Sequence, residues 1–142
     1  MGVRVRLKIS SSRVSSPLEA NSLLNTGFES EEPEVMAPVR VAEALGFWPH
    51  LPKGAVVKAY ETAGGVVRMH HIKEAVEMYV ISEDRSSKTV KCALVISELE
   101  REVLLSDRAI DELEIVIESP SKGLWRFRGE DKIRAGVEPQ YW

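Results

Sequence analysis

Short apolar segments separated by glycine, serine and proline turns predict a mainly β domain with one or two short helices, and three observations carry that reading. Val3-Arg4-Val5-Arg6-Leu7-Lys8-Ile9 alternates apolar and basic residues at the two-residue period of a strand with one wet face. Ala55 to Tyr60 and Val66 to Ile72 flank Glu61-Thr62-Ala63-Gly64-Gly65, the pattern of a β-hairpin with a mobile glycine tip. Lys88 to Ile96 places Val90, Cys92, Leu94 and Ile96 on one face, as a strand against a core does.

Taken in order, the first strand is followed by a serine-rich turn from Ser10 to Pro17, and Leu18 to Leu24 resumes extended structure. The acidic stretch Glu29 to Glu34, interrupted by Pro33, predicts a solvated loop. Val39 to Leu45 fits a short helix, with Pro38 at its first turn and Gly46 at its end. Phe47, Trp48 and Pro49 form an apolar loop whose expected role is core packing. After the hairpin come a separate strand over Val76 to Ile81, a polar turn from Glu83 to Ser87, and the strand Lys88 to Ile96. Val103-Leu104-Leu105 leads into Ser106-Asp107, residues that can cap a helix over Arg108 to Leu113. Ile115 to Ile117 and Leu124 to Phe127 are short strands joined by the turn Ser119 to Gly123. The polar tail from Gly129 ends in Tyr141 and Trp142, aromatics expected to be loose ends or, if they pack, part of a dimer contact.

A chain of 142 residues can bury one core, so residues 1–142 are read as a single domain. Its net charge of −3 offers no broad basic surface for releasing counterions from a nucleic acid, and none is expected as a partner. No apolar run approaches the roughly 20 residues of a membrane-spanning helix, and Met1-Gly2-Val3-Arg4 lacks the apolar core of a signal peptide. The expectation is a cytoplasmic protein with no membrane partner. Cys92 has no second cysteine to pair with, and its place in an apolar strand predicts a small buried thiol.

Chemistry concentrates in Leu23-Leu24-Asn25-Thr26-Gly27. Two aliphatics run into a short polar residue, a hydroxyl and a glycine, the pattern of a buried strand delivering a polar tip into a cleft. Taken with three other elements, this stretch resembles the retropepsin-like aspartic proteases, the single-domain homodimeric relatives of retroviral protease. Those elements are the hairpin through Ala63-Gly64-Gly65, at the position of the family's flap; Val103-Leu104-Leu105-Ser106 running into a short helix that ends Glu112-Leu113-Glu114-Ile115; and the closing strand Leu124 to Phe127. The resemblance spans roughly Val3 to Phe127. Asn25 stands where the family has its catalytic Asp, Ser106 where the second motif has Gly, and Phe28 where retroviral members have Ala.

What the resemblance implies is a closed retropepsin-like acid-protease barrel and peptide-bond hydrolysis by a dyad, one residue-25 side chain from each chain of a homodimer. The catalytic loop would be Asn25, Thr26 and Gly27, and the substrate-covering flap Ala63, Gly64 and Gly65, acting on an extended peptide with no cofactor and no metal. One loop per chain makes a second copy necessary, because no other Asp-Thr-Gly, Asp-Ser-Gly or Asn-Thr-Gly occurs. Asn has no ionisable proton, so this form is expected to bind peptides without cutting them, as an Asp-to-Asn inactivated protease. The alternative is a natural non-catalytic peptide-binding or interaction β-barrel.

Other residues invite simpler readings. His70 and His71 are neighbours on a strand and point to opposite faces, so the two cannot share an ion. His50 stands alone in a loop. Glu29 to Glu34 lacks the spacing of an EF-hand loop, and the serines Ser11, Ser12, Ser15 and Ser16 lie in no Gly-x-Ser-x-Gly elbow.

Overall fold

The structure is a computed structural model that describes residues 2–142. Its first strand, β1 (Arg4–Ser10), keeps the predicted alternation: Val5, Leu7 and Ile9 are buried while Arg6 faces out. β1 pairs antiparallel with β2 (Leu18–Leu24), Leu7 lying opposite Ala20. Around this pair the chain adds β3 (Glu34–Pro38), the helix α1 (Val39–Ala44), β4 (Val56–Thr62), β5 (Gly65–Ile81), β6 (Val90–Ser97) and β7 (Val103–Leu105). The strands run β1-β2-β7-β3-β6-β5, and β5 returns to pair with β1, which closes a six-stranded barrel. β4 extends the sheet beyond β5 as an edge strand. The helix α2 (Asp107–Glu112) follows β7, and β8 (Ile115–Ser119), β9 (Leu124–Phe127) and β10 (Arg134–Ala135) form a second, three-stranded sheet.

Closure explains the core. Leu7, Ile9, Met78, Leu94, Ile96 and Leu105 are fully enclosed, and α1, α2 and the small sheet cover the barrel with Val41, Leu45, Leu113 and Phe127. Each such side chain contributes about 1.5–3 kcal/mol by leaving water. Gly46 ends α1 at φ +85°, a left-handed conformation that suits a glycine beyond the last turn. Phe47 is buried as expected, with Trp48 packed beside it. No helix among the described residues is long and apolar enough to cross a membrane.

Three expectations are corrected. Glu34 is not part of a solvated loop: it opens β3, all five residues of which are buried, and Pro38 ends that strand as the N-cap of α1 instead of lying in its first turn. β3 fits between β7 and β6, where strands enclosed on both faces show no polar alternation. The returning hairpin strand and the strand over Val76 to Ile81 are one element, β5. The polar residues between them form a bulge that shifts the register between Ile72 and Val76, with Glu74 at φ +52°. Of the two readings left open for the end of the tail, loose or packed, the structure shows it packed on its own chain. Val137 N–H donates to the Arg4 carbonyl (2.9 Å), Asn21 N–H to Gln140 Oε1 (2.8 Å) and Trp142 N–H to the Arg101 carbonyl (2.8 Å), so the end of the chain lies along the barrel. Trp142 packs on the main core, while Tyr141 remains exposed beneath the Arg101 guanidinium.

Candidate functional site

Asn25 sits where β2 leaves the sheet. β2 lies parallel to β7, pairing Leu23 with Leu104 and Leu24 with Leu105, so the two apolar strands end side by side. Asn25 N–H continues the ladder by donating to the Leu105 carbonyl at 3.1 Å. The side-chain Oδ1 accepts from Gly27 N–H at 3.1 Å, and Phe28 N–H closes the turn on the Asn25 carbonyl at 3.0 Å. This Asx turn is why a short polar residue belongs at position 25. Thr26 and Gly27 are exposed. A Cβ on Gly27 would meet nothing nearer than Asn25 Oδ1 at 3.4 Å, an ordinary contact, so nothing within the chain demands a glycine there.

Ser106 holds the loop against the helix. Its Oγ accepts from Ala109 N–H (3.2 Å), capping α2, and from Glu34 N–H (3.0 Å), which fixes the start of β3. Asp107 N–H donates to the Phe28 carbonyl at 2.8 Å, and Asp107 Oδ1 accepts from Ser30 N–H at 3.0 Å. Ser106 therefore satisfies two backbone donors that a glycine would leave without partners. Ser106→Ala is expected to destabilise the fold by about 1–3 kcal/mol, since it removes a cap and strands a buried N–H; urea unfolding measures it.

The hairpin of β4 and β5 turns through Ala63 and Gly64, between the paired Thr62 and Gly65. Gly65 adopts φ +113°, which requires glycine, and Thr62 Oγ1 accepts from Gly64 N–H (3.2 Å) and donates to the Gly65 carbonyl (2.7 Å). Ala63, Gly64 and Gly65 are all exposed. Lower on the hairpin, Tyr60, Val67 and Met69 pack with Phe28, Leu23 and Leu104 in an apolar cluster separate from the barrel core. The Phe28 and Tyr60 rings meet edge to face at 6.2 Å. This cluster is the physical link between the Asn25 loop and the hairpin, and it accounts for the bulky Phe28: the ring fills space against the root of the hairpin.

Beside that cluster lies a group the sequence does not announce. His71 Nε2 stands 3.1 Å from Glu32 Oε1 and 3.2 Å from Glu34 Oε2, and Tyr60 Oη donates to Glu34 Oε1 at 3.1 Å. His71 and Glu34 are buried, and Glu32 is partly covered. Burial, and then the neighbouring Glu34 carboxylate, pushes the Tyr60 hydroxyl well above the usual phenol range, so it remains a donor. His70 faces the other way, with its ring 5.9 Å from Trp48, as adjacent strand residues should. His71 is far in sequence from Glu32 and Glu34 and meets them because β3 and β5 both flank β6, where Met36 and His71 pair with Val95. The only sequence signal was the Glu-Pro-Glu spacing, which gives two acids on one side of an extended segment. Cys92 is enclosed in the core, and burial pushes its thiol up to about 12, which fits the inert role expected of it.

No protein-family model matches the chain and no curated protein matches its sequence.

Proposed function

We propose that the chain is a retropepsin-like aspartic endopeptidase domain in which Asn25 has replaced the catalytic acid. Two copies pair their Asn25 loops across a two-fold axis and hold an extended peptide without hydrolysing it. The observation that carries this reading is the join of β2 and β7, where Asn25 N–H bonds the Leu105 carbonyl and Thr26 and Gly27 are left exposed. A glycine with no steric reason inside its own chain fits close approach by another molecule. Thr26, with a hydroxyl that both donates and accepts, suits a contact with its own symmetry mate.

The hairpin supplies the rest of a peptide site. β4 is an edge strand, so its outer backbone groups are available to a peptide added alongside, and Val57 and Val66 expose apolar surface for side chains. Closure of the hairpin over the peptide would exclude water. In the Asp form, two touching carboxylates share one proton, and the pair activates water and protonates the scissile carbonyl. Asn offers an amide that neither accepts a proton from water nor supplies one, and chemistry stops at binding. The test is peptide cleavage by an Asn25→Asp variant between pH 2 and 7; a folded, dimeric variant that cuts nothing would leave only a binding domain.

A further inference from the structure

We propose that Glu32, Glu34 and His71 form a binding site for a divalent cation of the zinc class at the root of the hairpin, a site that does not depend on the protease reading. One imidazole nitrogen and two carboxylate oxygens converge so that the three donor atoms lie within 4.8 Å of one another. The two separations from His71 Nε2, 3.1 and 3.2 Å, suit a hydrogen bond and equally suit ligand atoms that each sit about 2.0–2.1 Å from a shared ion.

Hydrogen bonding alone serves the cluster poorly. His71 Nε2 carries at most one proton, and two carboxylates from different residues face it, so the ring can donate to only one of them and at least one negative charge is left over even when the ring is protonated. Two of the three groups are buried, where such an imbalance is costly. A shared dication uses all three lone pairs at once. The supporting contact expected around a metal is also present: Tyr60 Oη holds the second oxygen of Glu34 at 3.1 Å and fixes the direction of the first.

Access and selectivity follow from the surroundings. The cluster opens on a cavity of about 590 Å³ that Gly54, Lys58 and Lys73 also line, leaving room for a water or another ligand in the remaining position. The two lysines oppose the accumulation of hard cations by field alone, so binding depends on direct coordination. A set of one nitrogen and two oxygens then favours zinc over magnesium or calcium. With His71 on β5 and Glu34 on β3, the ion would tie the hairpin to the barrel wall.

The experiment is calorimetric titration of zinc into the full, chelator-treated chain, with magnesium and calcium titrated in parallel. The expected result is saturable binding of one zinc per chain, weakened at least about tenfold in Glu32→Gln and in His71→Gln, with much weaker magnesium and calcium binding. Glu32 is only partly covered, so its variant tests the site even if replacement of buried His71 impairs folding. Failure of zinc to bind at about 100 µM, or equal binding by wild type and Glu32→Gln, would overturn the proposal. Magnesium or calcium binding as tight as zinc would overturn its chemical class.

Discussion

If the proposed function holds, Asn25→Asp is expected to turn the chain into an acid protease, raising cleavage by about 10²–10⁴-fold, the range by which positioned acid-base groups accelerate reactions. The change should leave the fold intact. The position needs an oxygen that accepts Gly27 N–H at 3.1 Å and a backbone N–H that reaches the Leu105 carbonyl, and an aspartate supplies both. What changes is the protonation of the pair. Two carboxylates in contact cannot both ionise readily, so the singly protonated state exists over a window between two apparent pKa values of the dyad. Cleavage should rise as pH climbs through the lower value and fall as it passes the upper one, giving a bell centred in the acid range. The Asn25 chain should show no such profile. A fluorogenic peptide library assayed across pH 2 to 7 measures both, with sedimentation confirming that the variants share one assembly state.

Arg134→Ala is expected to lower stability by about 2–3 kcal/mol and to release the C-terminal tail. Arg134 is 7% exposed and holds three things together. Its Nε and Nη2 donate to Asp84 Oδ1 and Oδ2 at 3.2 and 2.7 Å, its Nη1 reaches Glu130 Oε1 at 3.2 Å, and its guanidinium lies over the Phe127 ring at 4.9 Å. The lost stem packing and cation-π contact set most of the cost, because the carboxylate partners are accessible to water and an exposed pair contributes little. Arg134→Lys should recover only part, lacking the planar fork that grips Asp84 through two bonds.

Acid adds a check on sign. The Arg134 guanidinium, with Lys132 and Ser82 beside it, holds the Asp84 carboxyl well below the usual carboxylate range. The resulting stabilisation is present above the unfolded value of about 4 and is lost as pH falls through the lower folded value. The gap between wild type and Arg134→Ala should therefore narrow below about pH 4, as measured by urea unfolding in a pH series. Gly136 shows how closely the tail lies on the barrel: a Cβ there would lie 2.9 Å from the Arg4 carbonyl and 3.0 Å from that of Gly123.

β1 was legible in the sequence, and β3 was not. β1 could be read because Arg4, Arg6 and Lys8 interrupt its apolar residues at every second position. β3 escaped because Glu34 and Pro38, its two ends, are residues that usually mark loops and helix starts; only the place between β7 and β6 makes five buried residues of them a strand. The bulge at Glu74 broke the period of β5 and made one strand read as two. At the candidate site, Asn25 and the capping role of Ser106 were readable because each acts on residues within three positions of itself. The cluster of Glu32, Glu34 and His71 was not, since its members lie up to 39 positions apart (71 − 32) and meet only through the order of the strands. Adjacency put His70 and His71 on opposite faces, but the partners on each face, Trp48 and Glu34, come from other strands and loops.

The proposed pairing of two Asn25 loops is open to direct measurement through Thr26. In a two-fold assembly closed at this loop, both copies of residue 26 lie beside the axis, so Thr26→Cys should form an interchain disulfide under mild oxidation, given Cα atoms about 4.4–6.8 Å apart. Cys92 is 1% exposed and cannot compete. Non-reducing electrophoresis should show the oxidised variant as a covalent dimer that reductant returns to single chains. A chain that remains uncrosslinked, and sediments as a monomer at about 100 µM, would contradict the shared half-site.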